Sequence, residues 1–127
     1  MIRIVLSLII LICSSLTSLG SKLVYSSPAE KTYVDTSCCK IVDLGHGEIA
    51  YQVAYITVYT AVRANGTKKA VYVQQYNKNW THTRIIHRQY YSENGTLISW
   101  SDACGDWFSI NKNSIGATMR DNVKCYF

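Results

Sequence analysis

Three histidines are the first residues whose chemistry has to be weighed in this 127-residue chain. His46, His82 and His87, taken with Glu48, Arg84 and Arg88, supply the residue types of a general acid–base set acting on a phosphodiester. An imidazole can move a proton near neutral pH, a carboxylate can share that task, and a guanidinium can hold the anion. Their spacing argues against assembly. Alternate residues of an extended segment point to opposite sides, so His82 and His87 fall on opposite faces of one strand unless a bulge intervenes. His87 is better placed as a cross-strand partner of Asp102. No G-x-S-x-G, H-E-x-x-H, phosphate-cradling glycine loop or EF-hand pattern occurs. The expectation is a chain with no catalytic residues, no cofactor and no metal.

Cysteine is the second chemistry. Cys13 stands in an apolar leader, and Cys38, Cys39, Cys104 and Cys125 remain in the body. An even number behind a leader of this kind reads as two disulfides. Adjacent cysteines in an extended segment diverge, so Cys38 and Cys39 are expected to reach to Cys104 and Cys125, in either of two connectivities. Paired C-x-x-C units are lacking, which argues against zinc.

The third chemistry is aromatic and cationic. Tyr55, Tyr59, Tyr72, Tyr76, Trp80, Arg84 and Arg88 form a candidate binding face, since flat rings beside guanidinium groups suit stacking on sugars, bases or aromatic side chains. The competing expectation is structural, because cross-strand tyrosine pairs stabilise sheets on their own.

Strands must position these groups. Residues 48–63 (EIAYQVAYITVYTAVR) are rich in Tyr, Val, Ile and Thr and contain neither Gly nor Pro, which marks a long strand. Asn65-Gly66 and Asn94-Gly95 read as tight hairpin turns, with strands over 67–76, 80–91 and 96–103. Two-residue turns pair Tyr59 with Tyr72, Tyr55 with Tyr76, Val58 with Val73, Gln89 with Trp100 and His87 with Asp102. A three-residue loop at 77–79 then collects Ile56, Val58, Val62, Val71, Val73, Ile85, Ile98, Trp100 and Cys104 on one face. The aromatic and cationic set, with His82 and Tyr90, takes the other. Residues 40–44 are a further short strand. Beyond Gly105 the strand signal fades, with a possible helical turn near Ala117–Arg120 and a last strand over 123–127.

The ends set the compartment. Arg3, an apolar run from Ile4 to Cys13 broken only by Ser7, and a small polar tail to Gly20 make the three-part layout of a cleaved signal peptide over 1–20. The run is about half the roughly 20 residues a spanning helix needs. Asn65, Asn79 and Asn94 open N-x-[ST] sequons, all at expected turns. The whole chain carries 13 Lys and Arg against 8 Asp and Glu. The balance is mildly basic, with no charge block and no specific nucleic-acid signal.

The expected architecture is an all-β antiparallel sandwich or partly open barrel around a four-stranded meander. It joins an arm over 21–47, bearing the cysteine pair, to a β domain over 48–127 as one domain held by two disulfides. The expected function is that of a secreted, non-enzymatic binding or effector glycoprotein, toxin-like or host-directed, with a protein or glycan partner. The alternatives are a small secreted hydrolase such as a nuclease, and a structural surface glycoprotein. No transmembrane segment is expected after cleavage. Retention in the endoplasmic reticulum or at the cell surface is the alternative to release.

Overall fold

The structure, a computed structural model, describes residues 20–127. The expected signal peptide, with Cys13, lies outside the described residues apart from Gly20. Eight strands form one open antiparallel sheet: β1 (Ser21–Ser26), β2 (Glu30–Asp35), β3 (Lys40–Gly45), β4 (Glu48–Tyr59), β5 (Lys69–Asn77), β6 (His82–Tyr91), β7 (Leu97–Ser101) and β8 (Phe108–Ser109). The strand order is β1-β2-β4-β5-β6-β7, with β3 on β4 and β8 on β6. The all-β expectation stands, while the sandwich or barrel is replaced by a single sheet. The segment expected as an arm is part of that sheet, since β2 pairs with the second half of β4 and β3 with its first half.

β4 is a central strand, paired on one side with β2 and β3 and on the other with β5. Gln52 to Thr57 are all buried, as happens when both faces of a central strand are covered. One face is covered by a helix, α1 (Ile115–Val123), whose first turn is capped by Ser114 Oγ accepting from the Ala117 N–H at 3.0 Å. Met119 and Val123, one helical turn apart, pack with Val24, Val34, Val53, Tyr55 and Tyr76. The expected last strand is therefore the end of α1 and a short 3-10 turn over Lys124–Tyr126. The second cluster, Ile56, Val71 and Val73, lies on the other face with Val58, Ile86 and Tyr91 packed against it. That face otherwise opens outward at its margins, where Val62, Ile98 and Trp100 are exposed.

The register departs from expectation in two instructive ways. At Asn65-Gly66 the chain makes a longer loop, with Gly66 N–H donating to Arg63 O and Arg63 N–H to Thr67 O. Tyr55 consequently faces Tyr72 and Val58 faces Lys69. This slip is even, so every side chain keeps its face. At the β5–β6 connection the loop is also longer, and Tyr76 pairs with Thr83. A bulge then intervenes: Gln74 pairs with Ile85 but Val73 with His87, leaving Ile86 over. One extra residue exchanges faces. Arg88 and Tyr90 stay beside Tyr72, while His82 and Arg84 move to the face of His87. At Asn94-Gly95 the two-residue turn is again replaced by a longer loop, with Gly95 N–H donating to Ser92 O and Ser92 N–H to Thr96 O, and a one-residue shift between Tyr90 and Tyr91 preserves the expected pairing of Gln89 with Trp100.

The disulfide expectation is corrected. Cys39, Cys104 and Cys125 are free thiols, so no two of the four cysteines of the described chain are joined. Cys104 lies between β7 and β8 along the outer edge of β6, and Cys39 lies between β2 and β3 beyond β4. With β5 between β4 and β6, the two flank strands about 10 Å apart, beyond the roughly 7 Å Cα separation a disulfide can close. Cys125 lies near Cys39, and both remain thiols. Among the described residues no helix is long and apolar enough to cross a membrane.

Candidate functional site

A groove opens at the end of the sheet where the β3–β4 hairpin, the β5–β6 loop and the approach to β8 meet. Its lining is Leu44, Glu48, Ile49, Asn77, His82 and Trp107, and its volume is about 260 Å³.

Local geometry explains each contribution. His46 and Gly47 have φ of 53° and 78° and form the two central residues of the turn closed by the Gly45–Glu48 pair. Positive φ at both positions is the type I′ turn, whose twist matches a hairpin. Gly45 also has positive φ, 89°, and ends a bulge whose extra residue is Leu44. Asp43 Oδ1 fixes that bend by accepting the Gly45 N–H at 2.8 Å. Leu44 and Glu48 are thus set on either side of the hairpin tip.

Asn77 organises the second wall. Its Oδ1 accepts from the Thr81 N–H at 2.8 Å and from the His82 N–H at 3.0 Å, and its Nδ2 donates to Thr81 Oγ1 at 2.9 Å. Thr81 Oγ1 lies 2.9 Å from His82 Nδ1. The imidazole is held through one nitrogen, leaving Nε2 for a ligand.

Trp107 makes the third wall and is held from its ring face. The Arg84 guanidinium lies 4.4 Å from the indole centroid. Arg84 Nε donates to Gln75 Oε1 at 2.9 Å, and Gln75 Nε2 donates to Gln52 Oε1 at 2.8 Å. Both glutamines are buried, so a three-residue polar chain crosses the sheet and ends against the indole.

The candidate face proposed from sequence is distributed differently. Tyr55 and Tyr76 are 0 % and 1 % exposed, and their hydroxyls bond at 2.6 Å. Burial pushes the Tyr55 phenol well above its ordinary range and raises Tyr76 to about 12. Tyr59 is buried, its hydroxyl 3.5 Å from that of Tyr72. Tyr72, its phenol also raised by burial, meets Tyr90 edge-on at 6.2 Å. Trp80 stacks on Tyr51 at 4.4 Å, and Phe127 packs edge-on against both rings at 5.1 and 5.5 Å. Tyr55, Tyr76 and Trp80 are therefore core with Met119 and Val123 of α1 and Phe127, because one sheet face needs covering and the C-terminal segment supplies the cover, while the Tyr59 ring lies under the Arg63 guanidinium at 4.7 Å. Arg84 is not on this aromatic face. Arg88 is, opposite Tyr72.

The histidines are not gathered. His46 is at the exposed hairpin tip and His82 is in the groove. His87 is 1 % exposed, its Nδ1 bonded to the Asp102 carboxylate as the register expectation had it, and its ring stacked at 6.2 Å on Trp100. Among the described residues no group of three His, Cys, Asp or Glu side chains could hold a metal ion. The bulge does bring Glu48, His82 and Arg84 to one face, but Arg84 is engaged by Gln75 and Trp107.

Leu44 and Trp107 were missed from sequence. Leu44 enters the groove through a bulge that alternation cannot reveal. Trp107 lies in Gly105-Asp106-Trp107, where strand periodicity has faded. Asn65, Asn79 and Asn94 are all exposed in turns, with Asn79 between the groove residues Asn77 and His82. Comparison of the chain with protein-family models, with characterised proteins and with solved structures finds no match.

Proposed function

We propose that the chain is a secreted, N-glycosylated, non-enzymatic binding protein whose contact site is the groove between Glu48, His82 and Trp107. One observation carries the choice of site. The tyrosine face is consumed as core, whereas the groove keeps an indole wall, a carboxylate and an imidazole at the molecular surface around unfilled space. A concave site with an apolar wall and a few convergent polar groups is the usual form of a ligand site. The leader and the three turn-borne sequons support the secretory route.

The test is a pull-down with glycosylated protein recovered from culture medium, comparing wild type with Trp107→Ala and His82→Ala. Partners recovered by wild type and lost by both variants support the groove. Equal recovery of every partner by all three proteins removes it. Mass spectrometry of the same material reads the N-terminus and the glycans at Asn65, Asn79 and Asn94, and an unglycosylated chain beginning at Met1 removes the secretory reading.

A hydrolase reading has one observation in its favour, the placing of Glu48 and His82 in one groove. Cleavage of RNA by wild type and not by His82→Ala would establish it over the binding reading.

A further inference from the structure

We infer that the groove receives one neutral pyranose ring of an oligosaccharide, stacked on Trp107 and hydrogen-bonded by Glu48 and His82. This inference rests on the groove being a binding site and names the ligand class it fits.

Size comes first. At about 260 Å³ the groove lies just below the roughly 300–1,000 Å³ of sites for drug-sized ligands. One six-membered ring with its substituents matches that size, whereas a dinucleotide or an extended peptide would reach beyond it.

Shape chemistry comes second. A pyranose has an apolar face made of its axial C–H bonds and a rim of hydroxyls. The groove has the complementary division. Trp107, Leu44 and Ile49 present apolar surface, while Glu48 and His82 present polar atoms. A carboxylate can accept from two neighbouring hydroxyls, and charge-assisted bonds of this kind are the strong ones. The imidazole, with Nδ1 engaged by Thr81, can donate or accept at Nε2 according to its tautomer.

Preorganisation comes third. Arg84 holds the indole through the Gln75–Gln52 chain, and Asn77 with Thr81 holds the imidazole. For these two side chains little freedom is left to lose on binding, and that loss is a main cost of association.

Charge decides between sugars. Glu48 is the carboxylate of the lining, and the Arg84 guanidinium is already engaged by the indole and Gln75. A phosphorylated or carboxylated sugar would meet Glu48 with no Lys or Arg among the lining residues to answer it, so neutral rings are favoured.

The same chemistry has two sources. One is a glycan on a partner. The other is the chain's own glycan at Asn79, which is rooted in the loop between Asn77 and His82. An Asn79→Gln variant separates them.

The experiment follows the indole N–H resonances of the full secreted protein, with and without Asn79→Gln. Neutral methyl pyranosides and neutral oligosaccharides are titrated in, with glucuronate and a sugar phosphate as anionic comparators. The expected result is a saturable shift of the Trp107 signal at about millimolar sugar. It is absent in Trp107→Ala, retained in weakened form in Trp107→Phe, and about tenfold weaker or worse in Glu48→Gln. The anionic sugars give no shift. If the shift appears only once Asn79 is replaced, the chain's own glycan is the occupant. The inference is overturned if no neutral sugar moves the Trp107 signal in either background, or if anionic sugars bind as well as neutral ones. Loss of all sugar binding while a protein partner is still captured through Trp107 overturns this inference and leaves the binding reading standing. Loss of both overturns both. Trp107→Phe keeps the test valid should Trp107→Ala fail to fold.

Discussion

Tyr55 and Tyr76 meet hydroxyl to hydroxyl at 2.6 Å beneath α1, although neither is the cross-strand partner of the other. Tyr55 faces Tyr72 and Tyr76 faces Tyr51, so the bond runs diagonally across β4 and β5. Tyr55→Phe leaves the Tyr76 hydroxyl buried without this partner, at an expected cost of about 1–3 kcal/mol in urea unfolding. Adding Tyr76→Phe removes the orphan, and the double variant is expected to lose less than the sum of the two single losses. Strict additivity would show that the pair is not coupled.

Alkaline pH acts on the same core. Burial raises Tyr55 well above the ordinary 10.0, lifts Tyr72 as well, and brings Tyr76 to about 12. Below pH 10 these phenols are neutral in both folded and unfolded chains, so their contribution to stability is complete there. Above it the unfolded chain releases protons that the folded chain retains, and stability falls as pH rises toward and through 12. Absorbance at the phenolate band is expected to show a group of tyrosines titrating only with unfolding, coincident with loss of the sheet signal by circular dichroism. Reversible ionisation of all ten tyrosines in the folded protein would contradict this.

Trp80 holds φ at 60°, a left-handed conformation that costs a non-glycine residue about 1 kcal/mol or more. Its packing offsets the cost: the ring stacks on Tyr51, its carbonyl accepts from Arg120, and Lys124 lies 5.8 Å from the indole centroid. Trp80→Ala is expected to lose about 2 kcal/mol or more through the vacated packing. Trp80→Gly, which relaxes the backbone, is expected to be the more stable of the two variants. Equal melting temperatures would mean that the left-handed turn stores no strain.

The thiols should separate by reactivity. Cys104 and Cys125 are exposed, whereas Cys39 is half-buried. Burial first, then the Asp35 carboxylate and Cys125, raise the Cys39 thiol to about 11. Maleimide at pH 7.5 is expected to label Cys104 and Cys125 quickly and Cys39 slowly, with the Cys39 rate climbing as pH rises toward 11. Peptide mapping reads the order, and fast labelling of Cys39 at neutral pH would refute its burial against the core.

Much of the local organisation was legible in the residues themselves. The Gly- and Pro-free run of β4, the positions of the Asn-Gly turns and the pairing of His87 with Asp102 follow from β-propensity, turn chemistry and alternation, all short-range properties, whereas the turn lengths do not. The groove was not legible, because its formation depends on single-residue events. Leu44 is a bulge residue, and the unpaired Ile86 carries His82 and Arg84 to the face opposite Arg88. A period-2 pattern has no way to register one added residue. Nor could it say which face of the sheet the C-terminal segment would cover. Tyr55 and Tyr76 read equally well as ligand platform or core, and only the docking of Met119 and Val123 made them core. Local sequence thus determined which segments extend and where they turn. Long-range packing decided which aromatic rings the helix buries and that the half-buried indole of Trp107 lines the groove.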